Sequence, residues 1–105
     1  GSGLVGSEMC IRDRYKIPYK EILYISSSNH SIEIITEKEK FRQMISLREV
    51  LSHLPAYFQQ CHRTIIINMK KVTCLTDNWV VLKGKEELPV GKKYLEKIRS
   101  TFLSQ

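Results

Sequence analysis

Cys61-His62-Arg63-Thr64-Ile65-Ile66-Ile67-Asn68 is the stretch whose reading decides the fold. Residues 64–67 form the most apolar run in the chain and are expected to make a central strand. Cys61-His62-Arg63 stands where the chain enters that strand. Arg63 there offers a planar fork of donors suited to guanine O6 and N7 or to phosphate. The plainer reading of the same residue is a surface arginine at a strand end. His62 fits either a contact or a structural residue that hydrogen-bonds its own loop. Asn68 is read as structural, its side chain tying down the turn that ends the strand.

Short extended runs flank this centre. Upstream, Ile22-Leu23-Tyr24-Ile25 is a continuous apolar run of strand length, and Ile17-Pro18 before it cannot lie inside a central strand. Ser26-Ser27-Ser28-Asn29-His30 has turn-forming chemistry. Ser31–Thr36 reads as a second strand with Ile32 and Ile34 on one face, and residues 41–45 as a third beyond a charged turn at 37–40. Together they predict a meander. Ser46-Leu47-Arg48-Glu49 fits a capping box, with the Ser46 hydroxyl accepting from the Glu49 amide. Leu47, Val50, Leu51 and Leu54 continue it as one apolar helical stripe, which Pro55 stops. Downstream, Val72–Leu75 predicts a strand, followed by a turn at Asp77-Asn78. Trp79-Val80-Val81-Leu82 and Glu86-Glu87-Leu88-Pro89 predict a hairpin around Lys83-Gly84-Lys85. A last helix is expected over 91–103, burying Leu95, Ile98 and Phe102. The class is mainly β with two helices, in one domain without internal repeats.

The 105-residue chain is 42% hydrophobic and 27% charged, enough for a packed core. Gly1-Ser2-Gly3 has the form of an expression scar, and residues 4–14 resemble a translated sequencing adapter. Residues 1–14 are therefore read as a non-native leader and left out of fold reasoning. The domain then spans 15–105, and a preceding domain is expected to be missing. Arg12 and Arg14 balance Glu8 and Asp13, so the whole formal charge of +6 falls on residues 15–105. Such a balance favours nucleic acid, an acidic protein or a membrane face as partner. Outside the leader the cysteines are Cys61 and Cys74, which make no Cys-x-x-Cys pair and read as small buried apolar residues. A reducing, cytoplasmic setting fits them.

Enzymatic readings find no phosphate-cradling glycine loop, nucleophile elbow or His-Glu-x-x-His pair, so no catalytic residue is assigned. His53, Cys61, His62 and Cys74 could in principle ligate zinc. Their spacing is poor, and His53 falls off the apolar stripe of its helix. Neither a metal nor a cofactor is expected. Lys92-Lys93, after Gly91, is more informative. Cations at a helix start oppose the dipole at roughly 0.3–1 kcal/mol each. A tolerated solvated pair is one explanation; an anion arriving at free amides and two ammonium groups is the other.

Four blocks, Ile22-Leu23-Tyr24-Ile25 with its polar loop, Ser46 to Leu51, Phe58 through Cys61-His62-Arg63 to Asn68, and Leu88-Pro89-Val90-Gly91-Lys92-Lys93-Tyr94-Leu95, occur in an order and spacing that resemble the LytTR (LytR/AlgR-type) DNA-binding domain of bacterial response regulators, over residues 15–105. The resemblance implies about ten short, mostly antiparallel strands in small stacked sheets with two short helices. It implies loops that enter successive major grooves of double-stranded DNA, in place of a recognition helix. It also implies a two-component setting, with a receiver or other sensory domain ahead of this one and pairs binding direct repeats in promoters, the isolated domain being monomeric. Carried onto this chain, His30, Arg63 and Lys93 are expected to reach base edges. Asn29, Ser31, His62, Lys70, Lys71 and Lys92 are expected to hold the backbone. Two departures stand out: Ser26 where family members often carry glutamate, and Gly91 where they often carry serine.

Two other readings compete. A basic protein-interaction or membrane-surface module could use the same loops. A single-stranded nucleic-acid binder would need exposed aromatics, whereas Tyr24, Phe58 and Trp79 lie in apolar runs and are expected to be buried.

Overall fold

The computed structural model describes residues 8–11, 15–83 and 86–104. In chain order the strands are β1 (Glu8–Ile11), β2 (Tyr15–Pro18), β3 (Ile22–Ser28), β4 (Ser31–Thr36) and β5 (Lys40–Gln43), followed by helix α1 (Leu47–His53). Then come β6 (Phe58–His62), β7 (Ile65–Asn68), β8 (Val72–Leu75), β9 (Trp79–Leu82), β10 (Glu86–Pro89) and helix α2 (Lys92–Ser104). Short 3-10 turns at Tyr19–Glu21 and Met69–Lys71 lead into β3 and β8. The expected class, mainly β with short antiparallel strands and two helices, is the class observed.

Every strand pair is antiparallel. A five-stranded sheet runs β5-β4-β3-β7-β6, a three-stranded one β10-β9-β8, and β1 pairs with β2. The meander of β3, β4 and β5 is present, and β7 lies between β3 and β6. Alternation along the strands splits the core in two. Ile25, Ile32, Ile34 and Ile66 face one cluster, against Val50, Leu47 and Leu51 of α1. Ile35, Ile65 and Ile67 face the other, against Val80 and Leu82 of β9 and Ile98 and Leu95 of α2. The five-stranded sheet is therefore the middle layer. One face carries α1; the other carries the small sheet and α2.

Several expectations need correction. Glu8–Ile11, set aside with the leader, forms a strand whose Met9 pairs with Ile17; the rest of that leader, and Gly84-Lys85 of the last hairpin, lie outside the described residues. Phe58–His62 is a strand that the sequence does not announce, because Gln59 and Gln60 break its apolar pattern. Arg63 accordingly sits in the tight turn between β6 and β7. Trp79 is 49% exposed. The small sheet is covered on one face only, so Val80 and Leu82 point inward and Trp79 outward. Cys74 is exposed as well, beside an irregularity in the β8–β9 pairing between Val72 and Cys74.

Two polar groups fix the joints. The Ser46 hydroxyl accepts from the Glu49 amide at 3.1 Å, the cap expected for α1. Asn68 is wholly buried. Its Nδ2 donates to the Ile22 carbonyl at 2.9 Å, and its Oδ1 accepts from the Lys70 amide at 2.9 Å. Asn68→Ala leaves both backbone groups without that partner, at about 1–3 kcal/mol for a buried unsatisfied group. The midpoint of thermal unfolding should fall by roughly 4–8 °C per kcal/mol. Asn68→Asp should be no better, since it keeps the acceptor but sets a carboxylate against the Ile22 carbonyl. Calorimetry on the three proteins checks this, and a loss under a degree for either variant would show that the joint does not depend on Asn68.

Candidate functional site

Strand direction decides which loops share an end of the five-stranded sheet. β3, β5 and β6 run toward one end, while β4 and β7 start there. That end therefore carries the β3–β4 turn with Asn29 and His30, the Met44–Ile45–Ser46 link into α1, and the β6–β7 turn with Arg63 and Thr64. Two backbone bonds tie the loops together. The Ser27 amide donates to the Thr64 carbonyl at 2.8 Å, and the Gly91 amide donates to the Cys61 carbonyl at 2.8 Å. The second bond brings the start of α2, with Lys92 and Lys93, beside Arg63.

The β3–β4 turn is strained. Asn29 and His30 have φ of 44° and 69°, both positive as in a type I′ hairpin turn, where Asn-Gly is the favoured pair. Histidine occupies the place that glycine fills most easily, and its side chain is exposed. Ser31 lies beneath the turn: it is buried, and its hydroxyl donates to the Ser28 carbonyl at 2.8 Å.

The β6–β7 turn is braced from within. His62 Nδ1 accepts from the Thr64 amide at 3.3 Å and lies 3.1 Å from Thr64 Oγ1. A neutral ring bonded in this way carries its proton on Nε2. Gln60 Nε2 donates to the Arg63 carbonyl at 3.2 Å. Cys61 is fully buried, its thiol donating to the Pro89 carbonyl at 3.6 Å, and burial pushes that thiol up to about 12. It stays protonated and acts as a structural clip between β6 and the end of β10.

Gly91 opens α2, its carbonyl accepting from the amides of Tyr94 and Leu95. A Cβ there would stand 3.1 Å from the Tyr94 ring, so a larger residue at this position would require Tyr94 to give way. Arg63, His30, Lys92 and Lys93 are all exposed. Among the described residues the ion pairs are Lys83–Glu37 and Arg99–Asp77, neither of which engages these four cationic or titratable groups.

Lys70 and Lys71 are not brought to this end. They follow β7, whose four residues span roughly 13 Å at ~3.3 Å each. Lys70 Nζ instead lies 4.4 Å from the centroid of the Tyr57 ring, as a cation–π pair. Two residues that sequence reasoning passed over do share the end, exposed Arg48 near the start of α1 and Met44, which is 77% exposed. Arg48 could have been found by the argument applied to Lys92, since it too is a cation in the first turn of a helix. Its place inside a capping box hid it. His53, at the far end of α1, is exposed. Among the described residues no three His, Cys, Asp or Glu side chains gather as a metal would require, and no helix is long and apolar enough to cross a membrane.

The LytTr DNA-binding domain family matches residues 12–102 of this chain. The chain belongs to the LytTR family. The family is one of DNA-binding domains rather than catalysts. A similar fold occurs in the LytTr DNA-binding domain of a protein from Bacillus cereus described as a methyl-accepting/DNA response regulator. The two superpose with a TM-score of 0.76 at 20% identity, over 93% of this chain and 95% of the other. No curated protein matches significantly.

In this LytTR domain the turn geometry sets a stability cost at one residue, His30. Left-handed backbone costs an ordinary residue about 1–2 kcal/mol, and glycine costs about 0.5–1 kcal/mol in chain entropy. His30→Gly should therefore unfold at or slightly above the wild-type temperature. His30→Val, β-branched in the same conformation, should unfold several degrees lower. Thermal melts check the ordering, and equal midpoints for the two variants would remove the strain from the account.

Proposed function

We propose that the domain binds double-stranded promoter DNA sequence-specifically, with loops in successive major grooves, as the cytoplasmic output domain of a bacterial two-component response regulator. The observation that carries this reading is the convergence of the Asn29-His30 turn, the Arg63 turn and the Lys92-Lys93 helix start on one end of the sheet. The centres of the two hairpin turns lie about 10 Å apart, two strand spacings. The B. cereus protein supports the response-regulator setting, in which a receiver domain would precede this one. Such domains would pair on direct repeats and be monomeric alone.

Arg63, His30 and Lys93 read base edges in this proposal, while Lys92, Asn29 and the free Nε2 of His62 hold phosphates. Buried Ser31 acts by shaping its turn. Lys70 and Lys71 stand outside the converged set and would touch only backbone that passes beyond it.

Salt gives the first test. About five to eight phosphate contacts should release counterions and give a log–log slope of affinity against salt of roughly −4 to −7. A slope near zero with duplex DNA sinks the mechanism.

Specificity gives the second. A bidentate arginine–guanine pair discriminates by about 1–3 kcal/mol, so Arg63→Ala should weaken cognate binding while random duplex binding stays near wild type. Lys92→Ala removes the same charge but should weaken both alike and make the salt slope shallower by about one. Titration of both variants against cognate and random duplexes separates the roles, and equal proportional losses in the two would reduce Arg63 to a phosphate contact. A basic protein-interaction or membrane-surface module would not distinguish duplex sequences at all.

A further inference from the structure

β6 is the outer strand of the five-stranded sheet, and α1 and α2 pack on opposite faces of that sheet. The two helices leave a groove that passes over this open edge. Near the β6–β7 turn it forms a cavity of about 350 Å³, where Arg48 and Arg63 meet Leu47, Leu51, Gln60 and Tyr94. A second cavity of about 380 Å³ shares Leu51, Gln60 and Tyr94 and continues along β6 toward Phe58, with Lys97 on its wall. Continuity through three common residues makes them one groove with two different ends. One end holds two guanidinium groups; the other is floored by Leu51, Ala56 and Phe58. No carboxylate lines either cavity.

A concave space of this size, with two guanidinium groups at one end and apolar side chains toward the other, suits a small molecule that has both characters. Phosphate of a bound duplex would account for the arginine end alone. It would leave the apolar arm, which leads away from the loop end of the sheet, without an occupant. We propose that the groove binds a small amphipathic organic anion, its acid group on Arg48 and Arg63 and its apolar body along β6 toward Phe58. Because Arg63 is also the proposed base-reading residue, an occupied groove withholds that side chain from DNA. Exclusion of DNA rests on the function proposed above; binding in the groove does not. Arg48 and Arg63 stand on different elements, so a ligand that bridges them also sets the distance between α1 and the β6–β7 turn.

Naphthalene-2-carboxylate, a probe with one acid group on an apolar body, tests this on the whole 105-residue chain, with 2-naphthalenemethanol as its uncharged counterpart. Amide chemical shifts of the labelled protein should move at Leu51, Gln60 and Tyr94 with one saturable isotherm. The carboxylate should bind roughly ten-fold or more tightly than the alcohol, the usual weight of a charge-assisted hydrogen bond. Arg48→Gln, a change at an exposed position, should abolish that preference, whereas Arg99→Gln, which removes a cation of α2 outside the groove, should leave it intact. Added cognate duplex, the form in which Arg63 is held on a base edge, should displace the probe. Equal binding of carboxylate and alcohol, or shifts scattered over the surface, overturns the groove as an anion site. Simultaneous binding of probe and duplex overturns the exclusion. If the chain binds no duplex, the DNA reading fails, and the shift map still decides whether the groove takes the anion.

Discussion

The structure depends on β7 being buried on both faces and paired on both edges. Ile66 points into the cluster beneath α1, while Ile65 and Ile67 point into the cluster beneath α2 and the small sheet. A slip of one residue would exchange the two sets, since side chains alternate with a period of two. Three consecutive isoleucines cannot prevent that slip by themselves, because either register presents isoleucine to both layers. Asn68 removes the ambiguity. It is the one polar group at the end of the run, and its bonds to the Ile22 carbonyl and the Lys70 amide are available in a single register.

That register also aims the loops. The β6–β7 pairing shifts between Gln60 and His62, so Cys61 is an extra residue on β6. A bulge leaves its residue outside the regular ladder and turns the strand. The Cys61 carbonyl is thereby available to the Gly91 amide, and its thiol to the Pro89 carbonyl. A defect in one sheet thus docks the end of the other, and with it the first turn of α2. On the opposite side, the Thr64 carbonyl holds Ser27 and so the strand that ends in the Asn29-His30 turn. The three loops are neighbours because of contacts made by backbone and cysteine, not by the side chains of His30, Arg63, Lys92 or Lys93.

Much of this was legible in the chain. The central strand, the meander, the capped helix, the last hairpin and the second helix follow from apolar spacing and local chemistry. Asn68 could be read as structural because an amide after an apolar run has an obvious local use. Four features were hidden. β6 has two glutamines facing a groove where an alternating pattern would have apolar groups. Trp79 lies in an apolar run, which does not say whether a sheet will be covered once or twice. Glu8–Ile11 was set aside for what it resembles, and resemblance of that kind says nothing about pairing. The separation of Lys70 and Lys71 from Arg63 depends on strand direction, which sequence proximity masks: they are close in number and at opposite ends of β7.

The charge pattern has a physical reading of its own. Arg48, Lys92 and Lys93 all sit in first helical turns, against the dipole, at a cost of a few tenths to about 1 kcal/mol each. His30 adds backbone strain at the same end of the sheet. Unfavourable terms gathered at one end cannot arise from selection for stability, which would scatter or remove them. They are sustainable because the double-faced core beneath does not include them: His30, Arg48, Lys92 and Lys93 belong to neither cluster. An anion at this end would relieve the helix-start terms together, so affinity and unfolding temperature should rise with the same ligand. The end of the sheet that gathers these unfavourable terms is thus the end with the most to gain from a polyanion.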